Sequence, residues 1–292
     1  MCIRDRQMII LFAQASAKNN NKINSKININ RKHPQKKNSF YKSNYLQPSP
    51  LTISNSNNYY DSSSNNNYVQ SPPSKNHHNN IVNIIAFGDS LTEGMHRSEY
   101  GGFAPYTTTL EDLLNNNNQT KQYQVINDGI SGECVFMEMA SRLPISIQEN
   151  AQNLKLVIIL GGTNDLLTLD CDNNVNLTKE IINLHTIAHS RGYRTIMMTI
   201  PEANVANDNQ VLTTTSYETF HRLWWNTNQA LRQYAVANKG STTLCDLARK
   251  FPMHSLNEQH KAYYWSDDLH PTPKGYEKMA YLLYETISKI NL

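Results

Sequence analysis

Long hydrophobic runs are missing from this chain, and so are several common signatures of ligand binding. No apolar stretch approaches the roughly 20 residues that a membrane-spanning helix needs, so we expect no stable insertion into a membrane. Neither of the two common glycine-rich phosphate-binding motifs occurs in the sequence. The four cysteines form no C-x-x-C pair and no cluster with histidine. The sequence therefore predicts no zinc site.

The cysteines also do not form a disulfide framework. Cys134, Cys171 and Cys245 are scattered through the later part of the chain, far from Cys2. Isolated cysteines pack as small apolar residues, so we expect buried free thiols at these three positions. Their number neither supports nor opposes secretion.

Acidic residues are almost absent from the first 80 positions. This segment has 11 lysines and arginines against 2 acidic residues, and none of the acids lies between 7 and 60. The rest of the chain has 16 basic and 22 acidic residues, so a basic arm precedes an acidic domain. An acidic domain argues against a core that binds nucleic acid.

Residues 1–80 are dominated by asparagine, serine and lysine. Such a segment buries too little apolar surface to offset the entropy of ordering, so we predict a disordered low-complexity extension. Residues 1–6 resemble a translated sequencing adapter, and we interpret them as a scar. Residues 8–17 have the apolar run and small residues of a truncated secretory signal, although a random apolar patch has the same pattern. On this ground we favour secretion over a cytoplasmic location.

Residues 81–292 have the composition of one globular domain in which strands and helices alternate. This alternation is typical of a parallel sheet with helices on both faces. Five strands fit a doubly wound sheet, so the predicted fold is a flavodoxin-like three-layer α/β/α sandwich. Thr272 is a suitable cap for the last helix. The predicted strands are 82–87, 123–127, 155–161, 193–200 and 241–246.

The segment IIAFGDSLTEG, residues 84–94, contains the first candidate for chemistry. Its apolar start predicts a buried strand, and Ser90 follows the point where that strand ends. Ligands of open α/β sheets bind outside the carboxyl ends of the strands, so a serine there is well placed for nucleophilic attack. A Gly-Asp-Ser sequence is also a common turn.

Three further polar segments also lie at predicted strand ends or before the last helix. They contain Gly132, Asn164 and the pair Asp267 and His270. Each residue alone has an ordinary interpretation as a loop glycine, a helix cap or a surface side chain. Together they comprise a base with an acid to orient it, and donors for an oxyanion. A parallel sheet would bring all of them to the same edge as Ser90.

These segments resemble the four marker blocks of the SGNH hydrolases, also called GDSL esterases and lipases. Within that family the compact domain is most similar to the thioesterase and lysophospholipase-like branch. The resemblance spans residues 82–292 and leaves out the extension. The matching blocks are Gly88-Asp89-Ser90-Leu91, Ile130-Ser131-Gly132-Glu133, Gly162-Thr163-Asn164-Asp165 and Asp267-Asp268-Leu269-His270.

The resemblance implies ester hydrolysis without a metal or cofactor. It implies a catalytic triad of Ser90, His270 and Asp267, and an oxyanion hole formed by Ser90, Gly132 and Asn164. The D-x-x-H spacing selects Asp267 as the triad acid, and Asp268 is then expected to point to solvent.

The predicted function is therefore hydrolysis of carboxylic esters, either acyl or O-acetyl esters. The predicted substrate is a small molecule or a carbohydrate ester, and we expect a monomer. The polar segment 201–217 is a candidate rim of the site, and Trp224, Trp225 and Trp265 are candidates for stacking on a sugar. Two alternatives remain: a non-catalytic flavodoxin-like module that binds a small molecule, and an interaction protein whose functional part is the extension.

Overall fold

A computed structural model describes residues 80–292, except 99, 119, 168–175, 205–216 and 291. Its centre is a parallel five-stranded sheet with the spatial order β4-β1-β5-β6-β7. In order along the chain these strands have the 2-1-3-4-5 arrangement of flavodoxin-like folds. The sheet strands are β1 (Ile81–Gly88), β4 (Gln122–Gly129), β5 (Leu154–Leu160), β6 (Arg194–Met198) and β7 (Thr242–Cys245).

Helices cover both faces of the sheet. A short helix begins within three residues of the ends of β1, β5 and β7, and a π-helical turn, Val135–Met139, follows β4. The polar loops that join these strands to the helices therefore lie at one edge of the sheet. The last helix begins as the sequence predicts, since Thr272 caps it through the N–H of Gly275. The helices are α1 (Ser90–Glu93), α2 (Tyr106–Asn116), α3 (Ala140–Glu149), α4 (Thr163–Leu167), α5 (Leu177–Ser190), α6 (Tyr217–Ala237), α7 (Leu247–Lys250), α8 (Glu258–Tyr264) and α9 (Pro273–Ile287).

Alternation along β1 explains why both faces of the sheet are buried. Ile84 and Ala86 pack with α2 and α9 in one apolar cluster. Ile85 and Phe87 point the other way and pack with α3, α5 and α6 in a second cluster. A strand that is buried on both faces has a continuous apolar run, and residues 84–87 of β1 form such a run.

A small antiparallel hairpin, which the sequence analysis did not predict, follows the first helix. Its strands are β2 (Met95–His96) and β3 (Gly102–Phe103). The hydroxyl of Tyr276 in α9 donates to the carbonyl of Met95 at 2.6 Å, so the hairpin is attached to the last helix.

The predicted three-layer sandwich and its five parallel strands are confirmed, with boundaries within two residues. The predicted free thiols are right at Cys245, which is buried, and wrong at Cys134, which is disulfide-bonded. Cys171 and the extension through residue 79 lie outside the described residues. Among the described helices none is both long enough and apolar enough to cross a membrane.

Candidate active site

Ser90 occupies the sharp turn between β1 and α1. It is the first residue of the helix and is only 6% exposed. The side chain of Asp89 caps the helix by accepting a hydrogen bond from the N–H of Leu91 at 3.0 Å. The turn is tight because Gly88 packs directly against the helix: a Cβ at Gly88 would lie 2.2 Å from Thr92 Oγ1. Only glycine allows this approach, which sets the position of Ser90 relative to the sheet.

His270 and Asp267 complete a chain of hydrogen bonds that ends on Ser90. His270 Nε2 lies 3.1 Å from Ser90 Oγ, and His270 Nδ1 lies 2.9 Å from Asp267 Oδ2. Burial alone would raise the pKa of Asp267, but hydrogen bonds from the side chain and backbone of His270 and from the N–H of Leu269 hold that pKa below its usual range. Asp267 is therefore an ionised acceptor for the imidazole.

The loop that carries these two residues is held by hydrogen bonds between its own residues. Asp267 Oδ1 accepts hydrogen bonds from the backbone N–H groups of Leu269 and His270, so the spacing of three is a short side-chain-to-backbone turn. Ser266 N–H donates to the carbonyl of His270 at 2.8 Å. From outside the loop, Arg97 of the hairpin forms an ion pair with Asp267 Oδ2 at 3.4 Å.

The expectation that Asp268 points to solvent is wrong. Asp268 Oδ1 accepts a hydrogen bond from Asn204 Nδ2 at 2.8 Å, and the Asp268 carbonyl accepts one from the Asn204 N–H at 2.8 Å. Asp268 thus joins the loop to the segment that follows β6. The adjacent acids face different partners because successive residues of the turn project in different directions.

Gly132 and Asn164 are linked through Glu133, the residue that follows Gly132. Gly132 has φ of 85°, and a Cβ there would have no neighbour within 4 Å, so conformation and not space favours glycine. Asn164 Nδ2 donates to the carbonyl of Glu133 at 2.9 Å. The side-chain amide of Asn164 is thereby oriented by the residue that follows Gly132.

Two carboxyl groups near this part of the site, the buried Asp89 and the half-buried Asp165, have raised pKa values. Loss of hydration raises the pKa of Asp89 to about 7, with the hydrogen bond from Leu91 acting in the opposite direction. Burial also raises the pKa of Asp165 to about 6, although the N–H groups of Val135 and Phe136 lower it. Asp165 accepts from the Val135 N–H at 3.0 Å and so anchors the π-helical turn after Gly132.

Several supporting contacts could not be found from the sequence. Glu93 Oε2 accepts a hydrogen bond from the Ser131 N–H at 2.9 Å, which ties α1 to the glycine loop. Arg142 contacts the side chains of Asp128 and Glu133. Arg97 reaches Asp267 from the hairpin. Glu93 and Arg97 lie far from their partners along the chain, and an isolated charged residue gives no signal of its partner.

The residues predicted to face the substrate differ in their exposure and contacts. Glu202 does not point into a rim, because its carboxylate accepts from the N–H groups of Met253 and His254. Trp224 donates to the carbonyls of Ile200 and Pro201, and Trp265 is buried. Trp225 is the exposed tryptophan of the three, at 54%. Residues 205–216 lie outside the described part of the chain.

Within the described ranges no group of three or more histidine, cysteine, aspartate or glutamate side chains is placed to hold a metal ion.

The sequence matches the GDSL-like Lipase/Acylhydrolase family over residues 86–278, well over half of the chain. The chain belongs to this family. The matched region contains all four marker blocks, so the predicted family is confirmed. The narrower assignment to the thioesterase and lysophospholipase-like branch stays a prediction. Comparison with curated protein sequences finds no match.

Solved structures of similar fold include three enzymes. An inhibitor-bound M. smegmatis aryl esterase is 18% identical with a TM-score of 0.55, over 72% of this chain and 100% of that one. Est24, a carbohydrate acetylesterase from Sinorhizobium meliloti, is 17% identical with a TM-score of 0.54, over 71% and 99%. A lipase/acylhydrolase from Enterococcus faecalis is 22% identical with a TM-score of 0.54, over 71% and 96%.

These identities show a shared fold and no more. Family membership supports ester hydrolysis as the general activity of the GDSL-like chain.

Proposed function

We propose that this protein is a serine esterase that hydrolyses carboxylic esters through Ser90, His270 and Asp267. The observation that supports the proposal most directly is the hydrogen-bonded series Asp267–His270–Ser90, with separations of 2.9 and 3.1 Å. A nucleophile within hydrogen-bond reach of a base, itself oriented by an acid, is the arrangement that activates a hydroxyl.

In the proposed first step Ser90 Oγ attacks the ester carbonyl carbon while His270 Nε2 takes the hydroxyl proton. The tetrahedral intermediate collapses, and His270 gives that proton to the departing alcohol, which leaves an acyl-serine. Water then attacks the acyl-serine while His270 takes its proton. When the second tetrahedral intermediate collapses, His270 returns this proton to Ser90 Oγ and the acid is released. Asp267 keeps the proton of the imidazole on Nδ1 and stabilises the imidazolium that forms twice in each cycle.

The oxyanion of both intermediates is proposed to be stabilised by the N–H groups of Ser90 and Gly132 and by the side-chain amide of Asn164. The bond from Asn164 Nδ2 to the Glu133 carbonyl supports this role, because it fixes the orientation of the amide group beside the glycine loop. Donors that are oriented before the reaction stabilise developing charge without reorganising.

For the substrate we propose small-molecule or carbohydrate esters, with short acyl or O-acetyl groups as the first to test. Est24 shares only the fold with this chain, so its carbohydrate substrate is one candidate beside simple acyl esters and lysophospholipids. The chemistry above uses protein groups alone, so we propose that no metal is needed. Treatment with EDTA should then leave the rate unchanged.

The test is a panel of p-nitrophenyl esters of increasing chain length, assayed beside acetylated xylan and lysophosphatidylcholine. Purified protein should hydrolyse at least the short p-nitrophenyl esters, and a fluorophosphonate should label Ser90, as located by peptide mass spectrometry. Absence of turnover on every ester, together with no label at Ser90, would reject the esterase in favour of the small-molecule binding module.

A further inference from the structure

We propose that Arg142 is a positioning residue that holds the oxyanion hole together, although it contacts neither Ser90 nor the proposed donors themselves. The proposal rests on the proposed function, since it assigns Gly132 and Asn164 as oxyanion donors. It adds a residue that lies outside the four marker blocks and that no sequence motif singled out.

The guanidinium of Arg142 is surrounded by partners from three segments. Its Nε and Nη2 form a bidentate pair with the carboxylate of Glu133, with distances of 2.8 and 2.6 Å. Its Nη1 bonds the side chain of Asp128 and lies 3.2 Å from the Asp128 carbonyl. Its Nη2 also lies 3.2 Å from the carbonyl of Gly88. The side chain is 18% exposed, and its Cζ lies 4.1 Å from the centre of the Phe87 ring.

Each partner belongs to a different part of the proposed site. Gly88 ends β1 and lies two residues before Ser90. Glu133 follows Gly132 directly, and its carbonyl accepts the hydrogen bond from Asn164. A single planar group therefore links the strand that carries the nucleophile to the loop that carries one oxyanion donor, and through Glu133 to the other donor.

The charges make this link specific to arginine. Asp128 and Glu133 place two carboxylates around one guanidinium, and the Glu133 side chain is only 9% exposed. Removing the cation would leave two poorly hydrated carboxylates close together, and their repulsion would move the loop that carries Glu133 instead of the strand that carries Asp128. Lysine supplies a charge but lacks the planar fork that reaches Glu133, Asp128 and Gly88 at once.

Arg232, in helix α6, offers a matched control beside the end of β7. It forms a bidentate pair with Asp246 at 2.9 Å for both contacts, and its side chain is 11% exposed. The two arginines thus have similar burial and similar carboxylate partners, but Arg232 contacts none of the proposed oxyanion residues. Variants of the two arginines should therefore lose similar thermal stability. If Arg142 has only a structural role, the kcat of its variants should also match that of the Arg232 variants.

The experiment compares Arg142→Ala and Arg142→Lys with Arg232→Ala and Arg232→Lys on p-nitrophenyl acetate, with melting temperatures measured in parallel. Arg142→Ala should lower kcat by roughly 10²-fold, comparable to the loss of one oxyanion donor, with little change in KM. Arg142→Lys should fall between that variant and the wild type. Millimolar guanidinium should restore part of the rate of Arg142→Ala, and both Arg232 variants should retain the wild-type kcat.

The inference is overturned if folded Arg142 variants keep the kcat of the Arg232 variants, or if their loss appears only in KM. If Arg142→Ala does not fold, Arg142→Lys decides by the same criteria. A wild-type protein without esterase activity on any ester would instead reject the proposed function, so the two failures are distinguishable.

Discussion

Ser90, Gly132 and Asn164 follow three adjacent strands, whereas Asp267 and His270 lie on one loop between two helices. We refer to the first set as the strand half of the site and to the second as the loop half. The strand half depends on contacts between distant segments, such as Asn164 with Glu133 and Asp165 with Val135. The loop half is held mainly by hydrogen bonds within four consecutive residues.

The two halves should therefore respond differently to substitutions of the residues that support them. The proposed oxyanion donors of the strand half are oriented by groups from other elements. A change in one supporting residue should therefore disturb several of these donors together. The loop half forms its own turn, so its geometry needs few external contacts. Arg97, its ion-pair partner from the hairpin, is 58% exposed, and such pairs contribute little to stability.

The largest expected effect is that of Ser90→Ala, which removes the atom at which the two halves meet. The kcat for p-nitrophenyl acetate should fall by roughly 10⁴-fold or more, because the remaining groups cannot form an acyl intermediate. The melting temperature should change little, since a single hydrogen bond contributes about 1 kcal/mol. Activity near that of the wild type would remove Ser90 from the mechanism.

Asp267→Asn tests the loop half. Its amide would donate to His270 Nδ1 and favour the tautomer that cannot accept the Ser90 proton, so kcat should fall by up to ~10⁴-fold. The turn should survive, because the asparagine Oδ1 can still accept from the N–H groups of Leu269 and His270.

Asp268→Asn is the matched control, because its oxygen can still accept from Asn204. We expect a loss of less than about tenfold, the scale of a change that spares every triad contact. Steady-state kinetics of both variants at one pH decide the assignment. A larger loss at 268 than at 267 would make Asp268 the triad acid.

Asn164→Ala tests the strand half. Loss of one oxyanion donor should lower kcat by roughly 10²–10³-fold. KM should change little, because the contact strengthens chiefly in the transition state. A variant that is defective only in KM would show that Asn164 binds the substrate in its ground state.

The buried Asp89 makes the strand half sensitive to pH. Its pKa of about 7 in the folded protein exceeds the usual 3.8, so the folded state binds a proton more tightly than the unfolded chain. The free energy of unfolding should therefore fall as the pH rises from near the usual value towards 7, by about 1.4 kcal/mol per unit of pKa difference.

Asp89→Asn should reduce this dependence, since asparagine caps a helix equally well and carries no charge. Denaturant unfolding of both proteins across that pH range measures the difference. Parallel stability curves would mean that Asp89 does not hold its proton in the folded state.

The smallest expected effect concerns the extension. We propose that residues 81–292 form the hydrolase domain, so deleting residues 1–80 should leave kcat and the melting temperature nearly unchanged. Both halves of the site lie within the remaining chain. A truncated protein that is inactive or insoluble would show that the extension belongs to the domain.

Local sequence patterns were sufficient for much of this fold. The central strands β1 and β5 contain continuous apolar runs that end at a glycine, and the cap of the last helix is a local interaction at Thr272 and Gly275. The hairpin was missed because its two-residue strands carry no periodicity. The solvent exposure expected for Asp268 failed because its partner, Asn204, lies 64 residues away.

The residues and their order show which groups are available for chemistry: a serine after a strand, an aspartate three residues before a histidine, and glycine and asparagine at other strand ends. Which charged residues support these groups depends on contacts that form only in the folded protein. Asp128 is a strand residue, Glu133 a loop residue and Arg142 a helix residue, and the parallel register of β1 and β4 places Asp128 beside the end of β1. Such contacts form when packing brings separate segments together, and a single sequence does not show which charged residues will become neighbours.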